Sequence, residues 1–274
     1  MKVRKILLGT WSWRRPFYSF IGIYLLLLFC VLLGADALIF QPPRGKFEKP
    51  NDHFSLIPSP SDGTISTYYR EPAGGMPVLL WSHGNAEDLR YLYPLLDDLN
   101  AFGFGVFAYD YPGYGLSSGK PTERGCFDAI ENCYEELIHR KNTPAGRIIA
   151  VGQSVGSGPT CWLAEKKELA GVVLIAPFTS TFRTVTRVPL FPCDRFVNID
   201  RIANIKQPTL FIHGTSDFVV PHWNSQELFE TSGSMDKELL SLQNAGHNNL
   251  WSLHSDTLLL KLEDFSAKVY ERTP

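Results

Sequence analysis

The 274 residues are 44% hydrophobic and 20% charged, which excludes a disordered chain and is too much sequence for a small module. A net charge of −2 leaves no electrostatic footprint for nucleic acid. The length suits one large α/β domain with an appendage.

The appendage comes first. Residues 1–15 form a basic tail carrying Lys2, Arg4, Lys5, Arg14 and Arg15, and an uncharged stretch from Pro16 to Ala35 follows. As a helix, twenty such residues cover about 30 Å, the thickness of a bilayer's hydrocarbon core. Trp11, Trp13, Phe17 and Tyr18 suit an interfacial aromatic belt. Residues 16–37 are therefore expected to be a transmembrane anchor. The alternative is a cleaved signal peptide, because Ala35-Asp36-Ala37 resembles a small-residue cleavage site. The basic flank outweighs Arg44, Lys46 and Lys49 on the far side, so the tail is expected inside and the main domain outside the cytoplasm, in the periplasm of a Gram-negative source. Residues 38–50 read as a proline-rich, basic linker.

Residues 51–274 read as the main domain. His53–Ile57 and Ile65–Arg70 are predicted strands joined through a turn at Asp62-Gly63. From Pro77 the pattern alternates strand and helix. Val78–Trp81 is followed by a helix with Leu89, Leu92, Leu95, Leu96 and Leu99 on one face. Gly105–Tyr109 precedes a helix with Cys126, Ile130, Cys133, Leu137 and Ile138 at helical spacing. Next come a strand at Ile148–Val151, a helix from Pro159 and a strand at Gly171–Ile175. The alternation breaks at 177–207, an irregular segment holding Phe178, Phe182, Phe191 and Phe196, and this is expected to form a small apolar cap favouring longer acyl groups. It resumes with strand Thr209–Ile212, helix Trp223–Phe229, strand Glu238–Leu242 and a final helix over Leu258–Tyr270. Such alternation implies a mostly parallel sheet with helices on both faces.

The candidate chemistry lies in the loops after the strands. Gly152-Gln153-Ser154-Val155-Gly156 is the G-x-S-x-G pattern of a nucleophile elbow, where a sharp strand-to-helix turn exposes a serine. Such a serine needs a base and a carboxylate to orient that base. Asp217 follows the Thr209–Ile212 strand and His247 follows Glu238–Leu242, which places both at the carboxyl ends of strands. The expected site is Ser154, Asp217 and His247, with the N–H groups of Asn85 and Val155 as oxyanion donors and Ala86 as the alternative to Asn85. His213 is expected to be a packed or turn histidine, His83 a loop-fixing one, and His222 and His254 exposed. Asp110 reads as a turn-stabilising carboxylate, and Asp194 and Asp200 are weaker rivals to Asp217. The five cysteines (Cys30, Cys126, Cys133, Cys161 and Cys193) lack metal-ligand spacing and read as isolated thiols.

Taken together, HGNA at His83–Ala86, DYPGYGLSSGKP at Asp110–Pro121, GQSVGSGP at Gly152–Pro159, HGTSD at His213–Asp217 and GHN at Gly246–Asn248 resemble the serine α/β-hydrolase superfamily. Within it the chain resembles most the subfamily that includes the animal protein depalmitoylases, Phe196–Asp200 included. The resemblance covers about Pro50 to Tyr270 and implies the α/β-hydrolase fold, with a sheet of about eight strands. It differs at the N-terminus, where those depalmitoylases carry a cysteine-rich, lipidated segment and this chain has an apolar stretch with one cysteine. The expected activity is hydrolysis of carboxylic ester or thioester bonds of a small or lipid-like acyl substrate by a membrane-anchored serine hydrolase. No cofactor, metal or nucleic acid is expected. A peptidase or amidase on the same fold, and a non-catalytic binding protein, are the other readings. A dehalogenase is disfavoured because the elbow offers serine and not aspartate.

Overall fold

The computed structural model describes residues 13–45, 51–59 and 63–270. The expectations that rest on Lys2, Arg4, Lys5, Trp11, Lys46, Lys49 and Asp62 lie outside those residues. The chain divides into two compact units, Met1–Leu38 and Ile39–Pro274.

The first unit is dominated by α1 (Arg14–Ile39), a 26-residue helix whose mean hydropathy reaches 2.4 over an 18-residue window. Its length, about 39 Å at 1.5 Å per residue, is enough to cross a bilayer. Its leucines and phenylalanines are exposed rather than packed, as Phe20, Leu26 and Leu33 illustrate. A run apolar on all sides has no face to turn to water.

The second unit is built on one eight-stranded sheet. Its strands are β1 (Phe54–Pro58), β2 (Thr64–Arg70), β3 (Val78–Ser82), β4 (Gly105–Tyr109), β5 (Ile148–Gln153), β6 (Gly171–Ile175), β7 (Thr209–Gly214) and β8 (Lys237–Leu242). They lie in the order β1-β2-β4-β3-β5-β6-β7-β8. The pairs β1–β2 and β2–β4 are antiparallel, and every other pair is parallel. The central strands β3, β4 and β6 are buried along their whole length and β5 as far as Gly152, which explains why they read as apolar runs and not as alternating ones.

The helices follow from caps and stripes. The α2 helix (Leu89–Ala101) begins where the Asp88 carboxylate accepts the Arg90 N–H, and it buries Leu89, Leu92, Leu96 and Leu99, with Leu95 packed at the margin. The Thr122 hydroxyl caps α3 (Glu123–His139) through the Gly125 N–H at 3.0 Å. Next come α4 (Ser157–Lys166), the short α5 (Arg183–Thr186) and α6 (Asn198–Ile202), α7 (Trp223–Thr231) and α8 (Leu250–Tyr270). The last starts eight residues before the expected Leu258. Its first turn is helical but kinks at His254, so the apolar period is broken there.

The expectation about the 177–207 segment needs correction. Phe178 and Phe196 belong to the core and not to a cap. Phe196 is fully buried against Phe127, and a Cβ at Gly158 would meet its ring at 2.2 Å. Phe182 and Phe191 pack edge to face on each other. His222 and His254 are also half-buried rather than exposed. His222 Nε2 pairs with Ser241 Oγ at 2.9 Å, and His254 Nε2 lies 3.2 Å from the Gln243 carbonyl. All five cysteines are free thiols.

Beneath the loops at one end of the sheet lies a buried pair. His83 Nε2 stands 3.8 Å from Asp110 Oδ1, with both side chains fully enclosed. The Leu89 N–H donates to Asp110 Oδ1, which ties the carboxyl to the start of α2. Burial pushes Asp110 up from its ordinary 3.8 to about 7 and pulls His83 down from 6.5 to about 4. These shifts oppose each other in stability. The protonated Asp110 contributes below about pH 4 and loses its contribution as the pH rises to about 7, whereas the neutral His83 contributes above about pH 6.5 and loses it as the pH falls to about 4. Asp110→Asn should therefore gain stability relative to wild type as the pH climbs from about 4 to 7, and His83→Gln should lose it, by a few kcal/mol at most. Urea denaturation of the three proteins across that range checks both signs. Curves that stay parallel would mean that neither group changes its protonation on unfolding.

Candidate active site

The site is assembled at the carboxyl ends of parallel strands, where β3, β5, β7 and β8 all release their loops on the same edge. Ser154 is the first residue after β5 and opens a single 3₁₀ turn, Ser154–Gly156, that runs into α4. Its φ is +52°, a left-handed conformation that side chains other than glycine rarely adopt. The neighbours must yield for this turn to close. A Cβ at Gly152 would stand 2.5 Å from the Gly156 carbonyl oxygen, and one at Gly156 would stand 2.1 Å from that of Ser82 on β3. The Ser157 hydroxyl donates to the Ser154 carbonyl at 2.7 Å and holds the turn from below.

The structure brings the three expected side chains together. His247 Nε2 lies 2.9 Å from Ser154 Oγ, and His247 Nδ1 lies 2.7 Å from Asp217 Oδ2. An ionised carboxylate only accepts, so Nδ1 carries the proton and donates it to Asp217, leaving the Nε2 lone pair for the serine hydroxyl. Asp217 is buried, and its other oxygen, Oδ1, accepts the N–H groups of Val219 and Val220, each at 2.8 Å. Burial alone would raise this carboxyl. The hydrogen bonds from His213, His247 and the Val220 amide outweigh it and hold Asp217 well below the usual carboxylate range.

His213 is more than a packed histidine. Its Nε2 donates to the Val220 carbonyl at 2.8 Å and stands 3.3 Å from Asp217 Oδ2, while Ser225 Oγ pairs with its Nδ1 at 2.6 Å. It therefore braces the loop that carries Asp217. Among the rival carboxylates, Asp194 is committed to Ser180 Oγ and to the N–H groups of Phe182 and Arg195. Asp200 lies in the first turn of α6.

The loop after β3 supplies the other wall. His83 Nδ1 donates to the Gly84 carbonyl at 2.7 Å, and the His83 carbonyl accepts Tyr111 Oη at 2.6 Å. The Asn85 side chain is fully committed to hydrogen bonds. Its Oδ1 accepts the Gln41 N–H at 3.0 Å and Tyr114 Oη at 2.7 Å, and its Nδ2 donates to the Ile39 carbonyl. The backbone N–H groups of Asn85 and Ala86 have no hydrogen-bond acceptor among the described residues. Val155 stands in the first turn of a helical run, where an N–H has no partner within the helix.

These walls enclose an open cleft of about 480 Å³. Ser154, His247, Asn85 and Ala86 line it, together with Gln41, Gly84, Glu87, Gln153, Val219 and Asn248. No residue of 177–207 is among them, so the expected cap does not form this cleft. Glu87 was not foreseen. Its Oε1 accepts the Gly84 N–H at 2.5 Å; burial raises its carboxyl above the ordinary range, and the Gly84 amide and the nearby His247 work against that rise. It directly follows the HGNA motif, so its position was visible although its role was not. Gln41 had no local signal at all.

The sequence of residues 77–192 matches the family model described as the alpha/beta hydrolase fold. The alpha/beta hydrolase domain-containing protein 17B of Homo sapiens is 39% identical over 176 residues, which cover 63% of this chain and 61% of that protein. The alpha/beta hydrolase domain-containing protein aho-3 of Caenorhabditis elegans is 38% identical over 184 residues, covering 65% and 54%. The chain thus spans a little over half the length of these curated relatives. Among solved structures, the esterase Pf2001 of Pyrococcus furiosus superposes with a TM-score of 0.69 at 18% identity, covering 84% of this chain and 97% of that one. Est1E of Butyrivibrio proteoclasticus, solved with ferulic acid, gives 0.63 at 16% identity, covering 76% and 96%. Sheet order, the matched segment and the solved structures agree on the α/β-hydrolase fold.

Proposed function

We propose that the protein is a membrane-anchored serine hydrolase that cleaves carboxylic esters or thioesters through an acyl-enzyme. The observation that carries this reading is the continuous relay from Ser154 Oγ through His247 to Asp217, with bonds of 2.9 and 2.7 Å. Ser154 Oγ attacks the acyl carbon while its proton passes to His247 Nε2. Asp217 keeps the imidazole in the required tautomer and stabilises its charged form. The N–H groups of Asn85 and Val155 receive the developing oxyanion. His247 then returns the proton to the departing alcohol or thiol, and the acyl group remains on Ser154. A water activated by the same histidine releases the acid. Helix α1 serves as the anchor, with the basic tail in the cytoplasm and the cleft on the other side.

A fluorophosphonate probe should label Ser154, and Ser154→Ala should lower turnover of p-nitrophenyl esters or acyl thioesters on the order of 10⁶-fold with the fold intact. Ester hydrolysis that survives in purified Ser154→Ala protein excludes Ser154 as nucleophile. Asp217→Asn should cost about 10⁴-fold, since an amide can donate to His247 and favour the wrong tautomer. Aminoacyl amides in the same panel test the peptidase alternative.

Acidification should slow the reaction, because only neutral His247 can take the serine proton. Asp217 stays ionised far below the usual range, so it should add no second proton to the acid limb. A plot of log kcat/KM against pH is expected to reach a slope of one. A slope of two would require a second titrating group.

For the anchor, protease added to intact cells or spheroplasts should digest the domain, and the membrane fraction should hold the full-length chain beforehand. Protection until the membrane is breached reverses the orientation. A mature N-terminus at Leu38 would instead identify a cleaved signal.

A further inference from the structure

Glu87 has no part in the relay from Ser154 to Asp217, yet it lines the same cleft. Among the residues of that lining, Glu87 and His247 are the ionisable side chains, and no lysine or arginine is present. The carboxylate is not free to swing away, because its Oε1 is fixed on the Gly84 N–H at 2.5 Å. Gly84 separates it from the nucleophile by very little. A Cβ placed there would stand 2.7 Å from Glu87 Oε1 and 3.8 Å from Ser154 Cβ.

A negative charge so close to the oxyanion loop works against an anionic tetrahedral intermediate. It also repels substrates that carry a carboxylate or phosphate near the scissile bond. A positive charge on the substrate reverses both effects. It pairs with a partly desolvated carboxylate that has no lysine or arginine beside it in the cleft, and it offsets the charge of the intermediate. The geometry points to Glu87 as a specificity determinant that selects acyl esters or thioesters bearing a cationic group, such as a quaternary ammonium, close to the bond that is cleaved. This selection rests on the hydrolase reading for its consequence in turnover, but the binding preference does not depend on it. At a separation of ~6 Å and an effective dielectric constant of ~40, the attraction corresponds to about a tenfold preference.

Glu87 also positions the loop through Gly84, so the test must separate its charge from its hydrogen bond. Glu87→Gln keeps an oxygen acceptor for the Gly84 N–H and removes the charge. Hexanoylcholine and its uncharged isostere, 3,3-dimethylbutyl hexanoate, differ in charge and hardly in shape. Binding of each is measured by calorimetry on the full chain in neutral detergent, in Ser154→Ala and in Ser154→Ala/Glu87→Gln, so that no turnover intervenes. The kcat/KM of both esters is then measured with wild type and Glu87→Gln. The expected result is about tenfold tighter binding of the choline ester in Ser154→Ala, falling to near parity when Glu87 is also replaced, with the same collapse of the kcat/KM ratio. Binding preference without turnover upholds the Glu87 subsite and rejects the hydrolase reading. Equal binding of the two esters in Ser154→Ala, or a preference that persists in the double variant, overturns the assignment of Glu87 whatever the turnover.

Discussion

The close approach of the elbow to the end of β3 is the constraint on which the rest of the site depends. With Gly156 pressed on the Ser82 carbonyl and Gly152 on the Gly156 carbonyl, there is no room for a Cβ at either place. That closeness lets Ser154 take its left-handed φ of +52° and stand at the strand end instead of continuing the β5 pleat. It also sets the spacing between the elbow and the loop that leaves β3, where Gly84 lies against Ser154. The serine and the free amides of Asn85 and Ala86 therefore face one cleft because two backbones touch beneath them. A methyl group at Gly156 would disturb Ser154 and the opposite wall together.

The second constraint is electrostatic and is met on the other side of the serine. Asp217 is taken out of water, which by itself favours the neutral acid. Two backbone amides on Oδ1 and two histidines near Oδ2 reverse that preference. The resulting fixed negative charge dictates where His247 keeps its proton, and so which nitrogen meets the serine. The contrast with Asp110 is instructive. It is fully enclosed, Oδ1 accepts only the Leu89 N–H with His83 3.8 Å away, and Oδ2 has no hydrogen-bond partner among the described residues, so burial prevails and the carboxyl is raised to about 7. Fewer donors and deeper burial both act on Asp110 in the direction opposite to Asp217.

What could be read from the sequence divides along the same physical line. Strand order of appearance, the elbow and the loops holding Asp217 and His247 are local patterns, a few residues long, each fixed by a backbone or burial requirement of its own. The β3 to β6 runs are legible because strands buried on both faces carry few polar positions to blur them. The roles that were missed depend on residues far apart. Phe196 looks like its neighbours Phe182 and Phe191 in sequence, and only the approach of Gly158 and Phe127 makes it core. The support that His213 gives to Asp217 arises because the loop turns back at Val219 and Val220, which no periodicity announces. Gln41 reaches the cleft because the backbone of residues 39–41 is held by Asn85 and Tyr114, 44 and 73 residues further on.

That last contact gives the asparagine of HGNA a reason beyond its amide. A side chain at position 85 must accept from the Gln41 N–H and from Tyr114 Oη while donating to the Ile39 carbonyl. A carboxylate could accept but not donate, and a leucine could do neither, so the carboxamide meets all three demands at once. Satisfying them occupies the side chain, while the Asn85 N–H has no acceptor among the described residues. The chain leaving α1 thus completes the wall that the HGNA loop begins. Residues that composition alone would class as a linker become part of the site through hydrogen bonds to their backbone, which any residue at 39 and any but proline at 41 could offer, and which for that reason leave little mark in the sequence.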